Sequence, residues 1–311
     1  MRVGPLLRNS GQPSRENMFA VARAAEALGY DSLWATTHTA IPVQFESRYP
    51  YSPTGRPSWD AKTPWGDAFV SLAFVAAVTE RVRLGTSVIP LTITDPLTLA
   101  KQAATLDAYS GGRLEIGIGA GWLVEEGQAL GRPTDHRSAR LEEAVEILRL
   151  AWSRDTFSYE GRFWSFPEVG VNPKPQQGKE LPIWIGGQGQ RAVEIAARHG
   201  CGLMLWFAEP DAVRGYHTRL RAAGGTGPVA AAMPMDPNAG RWSQLTEEYV
   251  NAGTDLLILT TYGQNGSVTA ELEQFSAEVL PEVKGRDAFI SSQPRPNLGA
   301  MPPVIADPND S

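Results

Sequence analysis

The chain holds a single cysteine, Cys201, so no disulfide can close within it. Its glycine neighbours and the apolar run after it point to a buried small side chain rather than a reactive thiol, and a reducing cytoplasm is the expected location. Basic residues are outnumbered: 28 Lys and Arg face 34 Asp and Glu, for a net charge of −6. With no Lys/Arg cluster, this argues against nucleic acid as a partner, and an anionic ligand would have to be held locally. No run approaches the roughly 18 apolar residues of a membrane helix, and MRVGPLLRNSG lacks the apolar core of a signal peptide, so no membrane partner is expected. Histidine is scarce too. Four residues with no H-x-H or H-E-x-x-H spacing make a metal site, and hence a metal-dependent barrel hydrolase, a poor reading. G-x-S-x-G is absent and Cys201 has no evident base, which removes the parts for nucleophilic hydrolysis.

What is present is a regular alternation of strand and helix. MRVGPLL reads as a first strand, followed by a helix capped by Ser14, with Phe19, Ala22, Ala25 and Leu28 on one face and Gly29 as its stop. DSLWAT is a second strand, and a helix runs from about Gly66 to Glu80. VRLGTSVIP is a third, followed by a helix with Asp95 as cap, Pro96 at its first position, and Leu99, Ala103, Leu106 and Tyr109 pointing inward. RLEIGIGAGW is the fourth, and the helix Arg137 to Trp152 presents Leu141, Val145, Leu148 and Trp152 together. After a polar excursion from Ser153 to Leu181 come PIWIGG, GLMLWF, GPVAAAMPM and DLLILTT, each followed by a helical pattern. Eight evenly spaced strand-then-helix units predict an α/β fold of the (β/α)8 TIM-barrel class, preferred to a doubly wound sheet because no second domain's composition appears. The barrel is expected to span 1–284 as one domain, with 285–311 a Pro-rich tail too poor in apolar periodicity to fold alone.

In such a barrel the chemistry sits at the carboxyl ends of the strands. His38 follows strand two, Ser87 and Val88 end strand three, Gly119 to Trp122 close strand four, and Gly186 to Gly189 follow strand five. His136, His199 and His217 fall at helix ends or within a helix and fail the same filter. Taken alone, His38 is either a hydrogen-bonded loop residue or a catalyst. Gly119-Ala120-Gly121 forms a strand tip with almost no side chain, where a flat ligand can lie close or where the glycines merely turn the corner. IGGQGQRA brings glycines into a helix start, where free N–H groups can hold a phosphate, although such turns are common in β/α proteins. Thr37 to Trp65 is too long for an ordinary connection and reads as a lid or substrate loop.

Seven segments in order carry a family resemblance: AEALGYDSLW with His38 after it, SRYPYSPTGR, VTERVRLGTSVIPL, DPLTLAKQAATLDAYSGGR, LEIGIGAGW, ALGRPTDHRSARLEEAVEILRLAW and LPIWIGG. Over about residues 1–205 the chain resembles the luciferase-like monooxygenase superfamily, and within it the oxidoreductases that use the deazaflavin coenzyme F420. The resemblance implies a (β/α)8 barrel that binds a flavin or deazaflavin at its carboxyl-end face and often dimerises. Ser87-Val88 matches the family's non-prolyl cis peptide behind the ring, with Pro90 and Leu91 along the ring edge. Ala120, Gly121 and Trp122 match the strand-four tip, and Gly186, Gly187, Gln188 and Gly189 match the phosphate-side contact.

Two positions depart from the pattern. Thr37 stands where the family frequently has an acidic residue, so a ring contact is lost or passes to a hydroxyl. Trp122 stands where the sugar-phosphate dehydrogenases have a catalytic glutamate, and an indole cannot act as a base. Glucose 6-phosphate oxidation is therefore not expected. Trp122 either presses on an apolar or aromatic substrate or packs beneath the long loop, whose Phe45, Tyr49, Tyr51 and Trp59 form the expected specificity element unless they pack on a second subunit. The implied reaction is hydride transfer between coenzyme F420 and a small organic substrate, most simply reduction of an activated C=C, C=N or C=O bond, with His38 supplying or orienting the proton. An FMN-dependent monooxygenase and a non-catalytic flavin-binding protein are the alternatives.

Overall fold

The computed structural model describes residues 1–11, 13–235, 240–261 and 267–283; the expected tail at 285–311 lies outside them. Eight parallel strands form the wall: β1 (Arg2–Pro5), β2 (Ser32–Ala35), β3 (Arg83–Thr86), β5 (Leu114–Gly119), β8 (Ile183–Gly186), β9 (Gly202–Leu205), β10 (Val229–Met235) and β11 (Leu256–Thr261). They run in the order β1-β11-β10-β9-β8-β5-β3-β2, every pairing parallel. The last seam, between β1 and β2, meets at the parallel bridge Leu6 to Trp34, and the Leu7 N–H donates to the Trp34 carbonyl at 2.6 Å. The sheet thus comes round into the expected TIM barrel.

Helices α1 (Arg15–Ala27), α2 (Ala68–Ala76), α3 (Pro96–Tyr109), α5 (Arg137–Ser153), α6 (Gln190–Arg198), α7 (Pro210–Ala222), α8 (Trp242–Asn251) and α9 (Val268–Glu278) surround this wall. The predicted caps are made: Ser14 accepts from the Asn17 N–H, and Asp95 accepts from the Thr98 N–H with Pro96 behind it. Short helices α4 (Val124–Ala129) and α10 (Leu280–Val283) add to the regular series. Tyr109 is a correction: it is 82% exposed. It is the last residue of α3, where the chain leaves the barrel wall before Gly111-Gly112, so the inward face ends at Leu106 and the buried Asp107.

Two further corrections concern strands. The run VRLGTSVIP is not one strand: β3 ends at Thr86, a cis peptide joins Ser87 to Val88, and β4 (Ile89–Pro90) pairs with the end of β5. The excursion from Ser153 to Leu181 contains an antiparallel hairpin, β6 (Phe157–Glu160) with β7 (Ser165–Val169). Its outer residues are polar, so its sequence carries little of the apolar signal of a barrel strand.

Alternation along the strands divides the core in two. Leu33, Ala35, Leu257 and Leu259 face the helices, while Trp34, Trp184, Met204, Ala230, Ala232, Leu256 and Ile258 pack together inside the barrel. Low in the barrel, Glu115 on β5 is 1% exposed and takes Arg2 from β1, Arg83 from β3 and the Trp184 indole N–H, the last at 2.9 Å. This closed, paired end leaves the opposite end for ligands.

Candidate functional site

At the carboxyl ends of the strands an open cavity of about 820 Å³, including the space at its mouth, is lined by the long loop and by several strand ends, with Met204 on β9 and Trp206 just after it. β2 supplies Thr37 and His38; the β3 to β4 turn supplies Ser87, Val88 and Pro90. The end of β5 supplies Gly119, Ala120, Gly121 and Trp122, and that of β8 supplies Gly186 and Gly187. Ten of the expected site residues therefore meet on one wall system. Three do not line the cavity. Leu91 is buried in the core, with its N–H on the Gly119 carbonyl at 2.9 Å. Gln188 spends its amide on the Trp206 carbonyl at 2.6 Å, and its own carbonyl accepts the Tyr216 hydroxyl, so it braces the β8 and β9 loops. Gly189 is the N-cap of α6 and offers no side chain to the first turn, whose N–H groups keep the capacity to bind an anion.

The floor is bare for a geometric reason. Val88 stands over Gly119 and Gly186, and a Cβ on Gly186 would meet the Val88 side chain at 2.6 Å. Gly121 has φ +85°, a conformation other residues rarely adopt, and any side chain there would run into Thr92. The Ser87 hydroxyl, on a residue only 6% exposed, has no hydrogen-bond partner among the described residues. Thr37 is likewise 6% exposed on the same wall.

The long loop covers this floor with aromatic rings. Trp122 is surrounded edge-on by Phe45, Tyr49 and Trp59 at ring distances of 5.8, 5.1 and 6.0 Å. Trp122 packs under the loop, as one of its two readings expected, and also lines the cavity. Burial pushes the Tyr49 and Tyr51 phenols above their ordinary range, keeping them neutral donors. Among the described residues that line the cavity the side chains are mostly apolar and aromatic, which suits a flat occupant.

His38 is held from two directions. Its ring lies 4.7 Å from Trp59, 4.8 Å from Trp65 and 6.3 Å from Trp122. Its Nδ1 is 2.8 Å from Oε2 of Glu126, a residue 1% exposed on α4. Oε1 of Glu126 accepts the N–H groups of Thr39 at 2.6 Å and Ala40 at 3.1 Å. The adjacent Glu125 accepts from the N–H groups of Glu46 and Ser47. Sequence reasoning missed this acidic pair: Glu126 lies 88 positions from His38, on a helix too short to carry an apolar period of its own. Two adjacent acids just after the strand-four tip were the available signal. Burial leaves Cys201 1% exposed and raises its thiol to about 11, in keeping with an inert side chain.

Comparison with known proteins gives this geometry a family. A curated relative, an uncharacterized protein of Mycobacterium tuberculosis, is 36% identical over 191 residues, covering 61% of this chain and 65% of that protein. The oxygenase component of a flavin-dependent trigonelline monooxygenase of Acinetobacter baylyi is 28% identical over 192 residues, covering 61% of this chain and 48% of the relative. Among solved structures, an F420-dependent secondary alcohol dehydrogenase in complex with an F420-acetone adduct superposes with a TM-score of 0.72. It is 18% identical and covers 90% of this chain and 98% of its own, which shows a shared fold. The family model described as luciferase-like monooxygenase matches residues 2–235, from the first barrel strand through the seventh, and the chain belongs to that family.

Proposed function

We propose that this protein is an oxidoreductase that moves a hydride between coenzyme F420 and a small, uncharged organic substrate, with His38 handling the accompanying proton. The observation that carries the reading is the placement of His38. A histidine held by a buried carboxylate forms one wall of a cavity whose floor, at Gly119 to Gly121 and Gly186-Gly187, has almost no side chains. That floor fits a flat tricyclic ring: the Cβ positions that would block it are missing, Val88 backs it, and the partnerless Ser87 hydroxyl offers a polar contact. Thr37, Pro90, Ala120 and Trp122 would border the ring, and the uncapped start of α6 at Gly189 would take a phosphate.

When bound, the deazaflavin supplies the hydride chemistry. The chain supplies the rest. In the reducing direction His38 would give a proton to the substrate as its activated C=C, C=N or C=O bond is reduced, and in oxidation it would take that proton back. Tyr49, Tyr51, Trp59 and Trp122 exclude water and select an apolar or aromatic substrate by contact area. The fold neighbour solved with an F420-acetone adduct supports F420, and the flavin-dependent monooxygenase at 28% identity favours a second reading, an FMN-dependent monooxygenase.

Absorbance titration of the protein with F420 and with FMN separates the two. F420 binding, together with oxidation of reduced F420 by an enone, imine or carbonyl compound, is expected. Oxygen uptake with reduced FMN supports the second reading, and binding of neither cofactor overturns both.

A further inference from the structure

We propose that Glu126 is the positioning residue of the proton step: it selects the Nδ1-protonated form of His38 and ties that choice to the placement of the lid. The inference rests on the assignment of His38 as the proton-handling group, and it concerns the state of that group before any ligand binds.

Three nitrogens converge on one buried carboxylate. Oε1 of Glu126 receives the Thr39 and Ala40 N–H groups, and Oε2 faces Nδ1 of His38 at 2.8 Å. An ionised carboxylate accepts hydrogen bonds and donates none, so the shared proton belongs on Nδ1. Nε2 is then the nitrogen left for the cavity that His38 lines. In the neutral ring Nε2 carries a lone pair and can take a proton from an alcohol-type substrate as it is oxidised. The resulting imidazolium is paired with the Glu126 carboxylate and can return the proton during reduction. Both states of the ring keep the same contact at Nδ1, so the proton moves without the ring turning.

Thr39 and Ala40 directly follow His38 and begin the segment that carries Tyr49, Tyr51 and Trp59. One side chain therefore sets the imidazole and the start of the aromatic cover together. A buried glutamate placed only for stability would need its charge satisfied, and the two backbone N–H groups and any third donor would do that equally well. The specific prediction is the tautomer.

The substitution Glu126→Gln distinguishes the two roles. Its amide oxygen can still accept from Thr39 and Ala40, but its amide nitrogen then faces Nδ1 and must donate to it, which drives the ring proton to Nε2. The test is a long-range ¹H–¹⁵N correlation spectrum of ligand-free protein labelled at histidine, with His38 signals identified by their loss in His38→Asn. Neutral His38 is expected as the Nδ1–H form in the wild type and in Glu126→Asp, and as the Nε2–H form in Glu126→Gln. Turnover of reduced F420 with an enone should fall about 10²-fold or more in Glu126→Gln, with cofactor Kd within about 2-fold, on the usual scale of general acid–base effects. An Nε2–H wild type overturns the proposal, as does a Glu126→Gln protein that keeps both the Nδ1–H form and wild-type turnover. If Glu126→Gln fails to fold, the wild-type and Glu126→Asp spectra still decide. Because the spectra need no cofactor, the expected tautomer without F420 turnover counts against the proposed reaction alone.

Discussion

Trp34 and Trp184 meet edge to face inside the barrel, ring centroids 6.2 Å apart and planes at 84°. Room for two indoles in so narrow a space comes from their neighbours: a Cβ on Gly85 would lie 2.3 Å from atoms of the Trp34 ring, and one on Gly202 2.3 Å from an atom of the Trp184 ring. Glycine is used here for close approach. Each indole N–H is also satisfied, Trp34 on the Ser32 hydroxyl at 2.8 Å and Trp184 on Glu115.

Filling that space should therefore cost stability. Gly85→Ala and Gly202→Ala are each expected to lower unfolding free energy by about 1–3 kcal/mol or more, the scale of overpacked cores. Trp184→Ala should cost about 3–5 kcal/mol. Gly215→Ala, within α7 where a Cβ meets nothing within 4 Å, should instead add about 0.5–1 kcal/mol. Urea unfolding midpoints check all four, and an unchanged midpoint in both close-approach variants would refute the packing account.

The ionic cluster at the closed end predicts acid sensitivity. Burial opposes ionisation of Glu115, but the hydrogen bond and charge of Arg2, with Arg83 and the Trp184 N–H, outweigh it and hold the carboxyl below its ordinary range. A carboxyl with a lowered folded pKa adds stability that is fully present above its unfolded value, about 4.3, and is lost as pH falls through the folded value. Tm should decline below about pH 4.3 more steeply in the wild type than in Glu115→Gln, which starts lower at neutral pH. Parallel Tm curves against pH would remove Glu115 as a cause.

Glu125 anchors the middle of the long loop through Glu46 and Ser47 without lining the cavity. Desolvation opposes its ionisation, yet the Ser47 hydroxyl and backbone N–H groups bring its carboxyl below the usual range. In Glu125→Ala, amide hydrogen exchange at Glu46 and Ser47 should speed up by about tenfold or more, corresponding to a lost charge-assisted hydrogen bond of about 1.5 kcal/mol. Exchange in the barrel strands should not change. Equal protection of the loop in both proteins would show that the aromatic packing holds it alone.

If His38 has the proposed proton role, His38→Ala should lower turnover by about 10²-fold or more with cofactor affinity unchanged. Trp122→Ala should act differently, raising KM for an aromatic substrate more than it lowers kcat, since Trp122 supplies contact area. Steady-state kinetics and a cofactor titration on both variants separate these effects, and wild-type turnover in His38→Ala eliminates the assigned role.

Period and punctuation made most of the barrel readable. Continuous apolar runs in DLLILTT and GPVAAAMPM, the caps at Ser14 and Asp95, and the Gly stops are local signals, and the structure places these strands and helices within a residue or two of the reading. The hairpin at Phe157–Val169 escaped because its outer face is polar, and Tyr109 because a helix end can leave the wall while the periodicity continues. At the site, the strand-end rule picked out His38, Ser87 and the two glycine tips, whereas Leu91 and Gln188 turned out to be bracing residues.

Residue order by itself decided the eight-unit alternation and which short segments stand at the carboxyl ends, because helix hydrogen bonds, helix caps and the alternation of side chains along a strand are set by residues close in sequence. Only the folded chain decided that Glu126 reaches His38 across 88 positions and that Trp34 shares the barrel with Trp184. Such contacts depend on where separate strands come together as the sheet closes, and no local pattern records that distance.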